Sequence, residues 1–382
     1  MDYPKLVTAD AAERAPSNWW PIPLGLGLLS AVFLYDVVLA DRGLATEQPP
    51  ILSTVYAIRS VALLLASIAL VVGLRRLTGL LPEQSVAPDL PASVLAAVGG
   101  LLIAFGAAVL LLVDPQELSR LVREDHIVEW LSALLAFAAA VLYGVAATRC
   151  RSSRVSLSLF AALGTICLLL GLEEISWFQR VFEIESPEFM LNRNGQQELN
   201  LHNLATNLTG NVYYVGAFCW CVLLPGLLGD RVLPPSLHPL RPVLPSRLVL
   251  FGSAAAAAVV YEMWNIMWIQ LTFWMTLVLL VLAGVTTQRR RLPLLIAAAT
   301  TIVAVVFLTK GSVMIRNWDD TEVRELIIPY GLTLAGLDAA RRSGRIERLR
   351  CPTSEARTQT VRWPRCRPGR EVRDGTRYAD SQ

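Results

Sequence analysis

The sequence predicts an all-α protein, a polytopic transmembrane helical bundle of about ten helices with both termini cytoplasmic. Three observations lead there. Apolar residues make up 54% of the 382-residue chain, whereas charged residues make up 17%. Runs such as 92–113 continue without a charge for the length that crosses a bilayer core. The basic residues also change in density from one connection to the next, as the positive-inside bias of membrane insertion demands.

Taken in order, residues 1–20 carry Asp2, Lys5, Asp10, Glu13 and Arg14. They lack the short apolar core and small-residue cleavage site of a removable signal, so a cytoplasmic segment is expected there, with 21–40 as a retained first span. Hydropathy then gives spans at 51–74, 92–113, 127–147, 155–175, 212–228, 247–263, 267–286, 292–309 and 326–340. The two spans within 247–286 are joined by a very short connection around Trp264 and Asn265, and the last contains Pro329. Each of these is expected to be bent or only partly inserted. With this order the inner connections hold thirteen Lys and Arg residues and the outer ones eight, and twelve arginines follow Asp338. An odd number of spans would put those arginines outside. The transmembrane domain is therefore 21–340, and 341–382 is expected to be a disordered basic cytoplasmic tail drawn to anionic headgroups. With no folded basic domain or base-stacking platform, nucleic acid is excluded as a partner. The expected location is multi-pass in a bacterial cytoplasmic (inner) membrane, with the lipid bilayer as the surrounding partner.

The six cysteines give no oxidative framework. Cys167, Cys219 and Cys221 fall in apolar spans, and Cys150, Cys351 and Cys366 fall in basic segments that face the reducing cytoplasm. Cys219 and Cys221 form a C-x-C with no second cysteine or histidine pair, so they read as small core side chains rather than metal ligands.

This topology biases the ionisable groups outward. Asp36, Arg59, Glu124, Asp125, His126, Glu129, Glu173, Glu174, His202, Glu262, Asp319, Asp320, Glu322 and Glu325 fall on the outer side or in the outer thirds of spans. A lone charge at the bilayer centre costs about 2.5–3.5 kcal/mol even on the lenient insertion scale, so such groups must be shallow, paired or exposed to water. Asp36 and Arg59 stand at similar depth in adjacent antiparallel spans and are expected either to pair or to reach the interface separately.

The outer connection 178–211 is the longest on that side, and long loops in compact domains tend to carry function. Glu173 and Glu174 close the span before it. If that helix continues, Glu173, Trp177 and Arg180 share a face at spacings of four and three, with Gln179 beside them. Asn200, Asn203, Asn207 and Asn211 form an amide stripe, suited either to a headgroup or sugar or to capping and tying down the loop. His202 is one of three histidines and is a candidate acid, base or ligand. The candidate catalytic set is Glu173, Glu174 and His202. The candidate substrate-binding set is Arg180, Gln179, Trp177, Asn200, Asn203 and Glu129. A zinc site from His202, His126, Glu129 and one of the paired glutamates lacks any ligand-spacing motif, so no metal ligand is assigned and no cofactor is named.

The run G-L-E-E-I-S-W-F-Q-R, followed by E-S-P-E-F and N-x-x-Q-x-E-L-N-L-H-N, resembles the signature of an uncharacterised family of bacterial polytopic membrane proteins, whose usual form is G-E-E-I-S-W-G-Q-R followed by N-L-H-N. The resemblance includes R-E-D-H-I-V-E-W at 123–130 and T-E-V-R-E-L at 321–326. The chain departs from that form with Phe178 where glycine is usual and with Leu172 before the glutamates. The family brings a site but no activity.

Three function classes follow. One is an intramembrane enzyme acting on a lipid or lipid-linked glycan from the outer face, with one glutamate as general base and His202 as acid or orienter. Another is a transporter of a small polar or amphipathic solute, a class whose members commonly show broken helices and midplane charges. The third is a non-catalytic docking or assembly protein.

Overall fold

A computed structural model describes residues 19–79, 90–123, 126–150, 153–193, 199–200, 204–229, 231–286, 291–314 and 320–350. Among them the secondary structure is helical, and eight helices are long and apolar enough to cross a membrane. The protein is thus a multi-pass helical membrane protein. In chain order, α1 (Pro21–Leu34) runs into a π-helical turn at Tyr35–Leu39 and is followed by α2 (Thr54–Thr78), α3 (Leu90–Val113) and the short α4 (Pro115–Leu121). Next come α5 (Ile127–Arg149), α6 (Arg154–Glu174), the short α7 (Glu188–Arg193) and α8 (Thr206–Phe218). A second π turn at Cys219–Leu223 joins α8 to α9 (Leu224–Leu228), so the three pieces form one membrane-length rod. The chain ends with α10 (Arg247–Ser253), α11 (Met267–Thr286), α12 (Arg291–Lys310) and α13 (Asp320–Arg350).

Local chemistry starts several of these helices. The side chains of Ser53, Asp114 and Ser153 accept from the backbone N–H groups of Tyr56, Glu117 and Ser156, satisfying donors that a helix N-terminus otherwise leaves open. The long helices carry their apolar side chains all round, as lipid contact permits. Leu95 and Leu102 on α3 are 73% and 67% exposed in the isolated chain, while Ala97, Ala104 and Ala108 on the same helix are buried. Small side chains face the protein and large ones face outward, because helices in lipid associate through close packing.

The two segments that hydropathy placed least firmly take special forms. The expected span 247–263 begins as α10, tightens into a 3₁₀ turn at Ala254–Ala257 and then continues without regular structure to Ile266. Almost all of it is buried, with Val249, Leu250, Ala254, Ala258 and Val259 fully enclosed. Irregular backbone at such depth is tolerable only inside protein, where its polar groups find partners. The expected span 326–340 lies within α13, which packs chiefly on α5 and also on α10. Residues 341–350, expected in a disordered tail, continue that helix. Arg342 fixes this end by donating to Arg241 O at 3.1 Å, Leu244 O at 2.5 Å and Asp338 Oδ2 at 2.9 Å. Residues 351–382 of the expected tail lie outside the described residues.

Pro329 has a local consequence that organises one end of the bundle. Proline has no N–H, so the carbonyl of Glu325, four residues earlier on α13, loses its helical partner. Ser132 of α5 replaces that donor, its hydroxyl lying 3.0 Å from Glu325 O. The α5–α13 contact is thereby fixed at the level where the acidic side chains gather.

Candidate acidic site

Four helices contribute to this site at one end of the bundle. Glu174 is the last residue of α6, and Glu322 and Glu325 lie one turn apart near the start of α13. One carboxylate oxygen from each lies within 4.8 Å of the others. Tyr214 of α8 donates its hydroxyl to Glu325 Oε1. Ser132, bound to the Glu325 carbonyl, also lies beside the Glu174 side chain, and Glu129 one turn earlier on α5 adds a fourth nearby carboxylate. Three acids at this separation require a shared proton, a cation or a nearby positive group. Arg324 supplies such a group next door, with its guanidinium carbon 4.1 Å from the centroid of the Tyr214 ring. The α13 N-terminus favours the early Glu322, whereas Glu174 stands at the unfavourable C-terminus of α6. Nothing in helix formation asks for a carboxylate there.

Arg324 and Tyr214 also border a cleft lined by Phe218, Val222, Ala256 and Ile328. Its cavity volume of about 20 Å³ has room for roughly one water. The acidic cluster and an apolar slot thus share a wall.

The paired glutamates part company. Glu173 accepts from Trp177 Nε1 at 2.7 Å, and it is Glu174 that joins the acid cluster. The helical continuation expected to align Glu173, Trp177 and Arg180 does not form. The α6 helix stops at Glu174, and Ser176, Trp177 and Phe178 follow with φ of 46°, 56° and 59°. This left-handed turn still returns the Trp177 indole to Glu173. Phe178 adopts a backbone that glycine would enter without strain. Arg180 is exposed.

The candidate amides serve the loop itself. Gln179 is buried and donates to Ile184 O at 3.0 Å and Ser186 Oγ at 2.5 Å, while its Oε1 accepts from Leu199 N at 2.6 Å. Asn200 donates to Ser176 Oγ at 3.3 Å. Asn211 donates to Asn207 O at 2.6 Å and accepts from Trp268 Nε1 at 3.1 Å. His126 is exposed at the start of α5, one turn from Glu129. His202 and Asn203 lie outside the described residues.

Sequence reasoning placed Glu322 and Glu325 on the outer side without choosing them, and it passed over Ser132, Tyr214 and Arg324. A signal was present in the two acids one turn apart within T-E-V-R-E-L, beside a helix-interrupting proline.

A second polar centre holds the expected ion pair. Arg59 Nη2 lies 2.6 Å from Asp36 Oδ2, and both side chains are buried. The guanidinium also donates to Gln270 Oε1 and to Asn265 O, each at 2.6 Å. Asn265 belongs to the irregular stretch, which the loop before α2 ties from the other side. Gln48 N donates to Glu262 O at 2.6 Å, Asn265 N to Gln48 O at 2.8 Å, and Asn265 Nδ2 to Pro49 O at 2.7 Å. This network supplies the polar partners that unwound backbone requires.

No family model, curated protein or solved structure matches the chain.

Proposed function

We propose that this is an intramembrane acid–base enzyme acting from the outer face on a lipid or lipid-linked glycan, with Glu174 as the proton-transferring group. The observation that carries this reading is the convergence of Glu174, Glu322 and Glu325, whose carboxylate oxygens lie within 4.8 Å of one another beneath Tyr214. Carboxylates so close hold and exchange a proton readily, which is what general acid–base catalysis asks of its residues. In this reading Glu174 takes the proton of a water that attacks an ester or glycosidic bond of the substrate, and the proton shared by Glu325 and Tyr214 passes to the oxygen that leaves; His202 keeps its expected role as acid or orienter. The proposal includes ten crossings with both termini cytoplasmic in a bacterial inner membrane. It also includes a basic tail on anionic headgroups and membership of the family that the G-L-E-E-I-S-W motif resembles.

The test is conversion of lipid in reconstituted vesicles. Full-length protein in vesicles of bacterial polar lipid extract containing lipid-linked glycans is compared with Glu174→Gln by mass spectrometry. The wild type is expected to convert a lipid species, and the variant to lose about 10²–10⁴-fold in rate, the usual contribution of a positioned acid or base. A wild type that changes no lipid, or a variant equal to it, overturns the proposal.

One observation favours a second reading as a carrier. The segment after α10 leaves the α-helix from Ala254 to Ile266 within the bundle, and interrupted helices line the binding sites of many transporters. A carrier would move solute across the vesicle membrane while leaving every lipid intact.

A further inference from the structure

The chain after α6 turns amide and hydroxyl groups inward and leaves a row of apolar side chains exposed among charged ones. Inward, the buried carboxamide of Gln179 gathers Ile184 O, Ser186 Oγ and Leu199 N, and Asn200 reaches Ser176. Outward, Val181, Phe182, Ile184 and Leu191 are 54%, 68%, 46% and 44% exposed. These four belong to a connection, so a place along a membrane-crossing helix does not explain their exposure. Their level relative to the bilayer is nevertheless fixed, because α6 is a membrane-length helix ending at Glu174 and the left-handed turn 176–178 follows within two residues. That turn keeps the chain from continuing away along the helix axis.

We infer that residues 177–191 form a plate seated in the outer-leaflet interface, with lipid as the partner of its apolar side. The interface is the zone that takes up amphipathic segments bearing aromatic and aliphatic side chains on one side. Trp177, with its indole N–H held by Glu173, stands at the inner edge of this plate in the usual place of an interfacial aromatic ring. Glu183, Glu185 and Glu188 are exposed and interleaved with the apolar groups, and they extend to water and headgroups. Gln179 is the hinge of the arrangement, since it satisfies the polar groups that the plate would otherwise carry into lipid.

The experiment places the photoreactive side chain p-benzoylphenylalanine at Phe182, at Val181 and, for comparison, at Glu185 in the full-length protein. Each is reconstituted in vesicles of phosphatidylethanolamine and phosphatidylglycerol, irradiated and analysed by mass spectrometry. Phospholipid adducts at Phe182 and Val181 are expected severalfold above those at Glu185. Equal adduct formation at all three positions, no lipid adduct, or adducts only to a second polypeptide would overturn the inference. The readout requires no turnover, so it stands apart from the test of the acidic site.

Discussion

Phe178 is an aromatic residue in a backbone conformation that L-amino acids avoid, with φ of 59°. A left-handed residue other than glycine costs roughly 1–2 kcal/mol. Phe178 recovers part of this through its ring contact with Phe182, whose centroid lies 6.0 Å away, a pair worth about 0.5–1.5 kcal/mol beyond its burial. Substitution separates the two effects. Phe178→Ala keeps the strain and loses the contact, whereas Phe178→Gly loses both. In thermal unfolding in detergent, Phe178→Gly is expected to exceed Phe178→Ala in stability by about 1 kcal/mol. An alanine variant that is the more stable would show that the turn is not left-handed. The sequence carried part of this information. The departure from glycine at 178 was visible, but the turn around it depends on Gln179 reaching Ile184, Ser186 and Leu199, and that contact set has no periodic signature.

Between elements, close approach of backbones decides stability. A Cβ built on Gly100 of α3 would fall 2.0 Å from the carbonyl oxygen of Gly252 on α10. The two helices therefore meet through their main chains, and no side chain can move aside to make room. Gly106, six residues along α3, has nothing within 4 Å of the corresponding position. In the sequence Gly100 and Gly106 look alike, because hydropathy alone does not tell an inward glycine from an outward one. Gly100→Ala is expected to destabilise by about 1–3 kcal/mol through overpacking. Gly106→Ala is expected to stabilise by up to about 1 kcal/mol through helix propensity. Parallel melts of both variants in one detergent check the contrast, and equal effects would refute the α3–α10 contact. The short connection around Trp264 and Asn265 signalled a bent or partly inserted segment, but not the length of irregular backbone up to Ile266. Its alanine-rich composition reports burial, while the loss of helix answers to Gln48 and Arg59, which lie about two hundred residues away in sequence.

For the whole molecule, the long uncharged runs made eight helices legible, and they set the polar site at one end. Ser156, near the start of α6, donates to Pro239 O at 2.5 Å, whereas Glu185 follows the opposite end of that helix. Leu237 and Glu185 are both exposed and so report on opposite membrane faces. In a background stripped of native cysteines, Glu185→Cys is expected to react with an impermeant maleimide in intact cells. Leu237→Cys should react only after permeabilisation, and the reverse pattern would invert the proposed sidedness. The acidic centre itself was half legible. Glu174 was evident from its place at a span end, but its meeting with Glu322 and Glu325 depends on α6 and α13 both packing on α5, which brings together residues about 150 positions apart.

The irregular stretch beyond Ala257 also bears on how the chain reaches its native state. A segment with open peptide groups cannot be handed to lipid when it leaves the translocation machinery, as a regular helix can. It must remain sheltered until α11 has arrived and the earlier Gln48 strap has closed over it. Membrane integration of this protein is therefore not a simple sequence of independent insertions, and the arrival of residues 258–286 is the stage at which an insertase or holding factor has most to do.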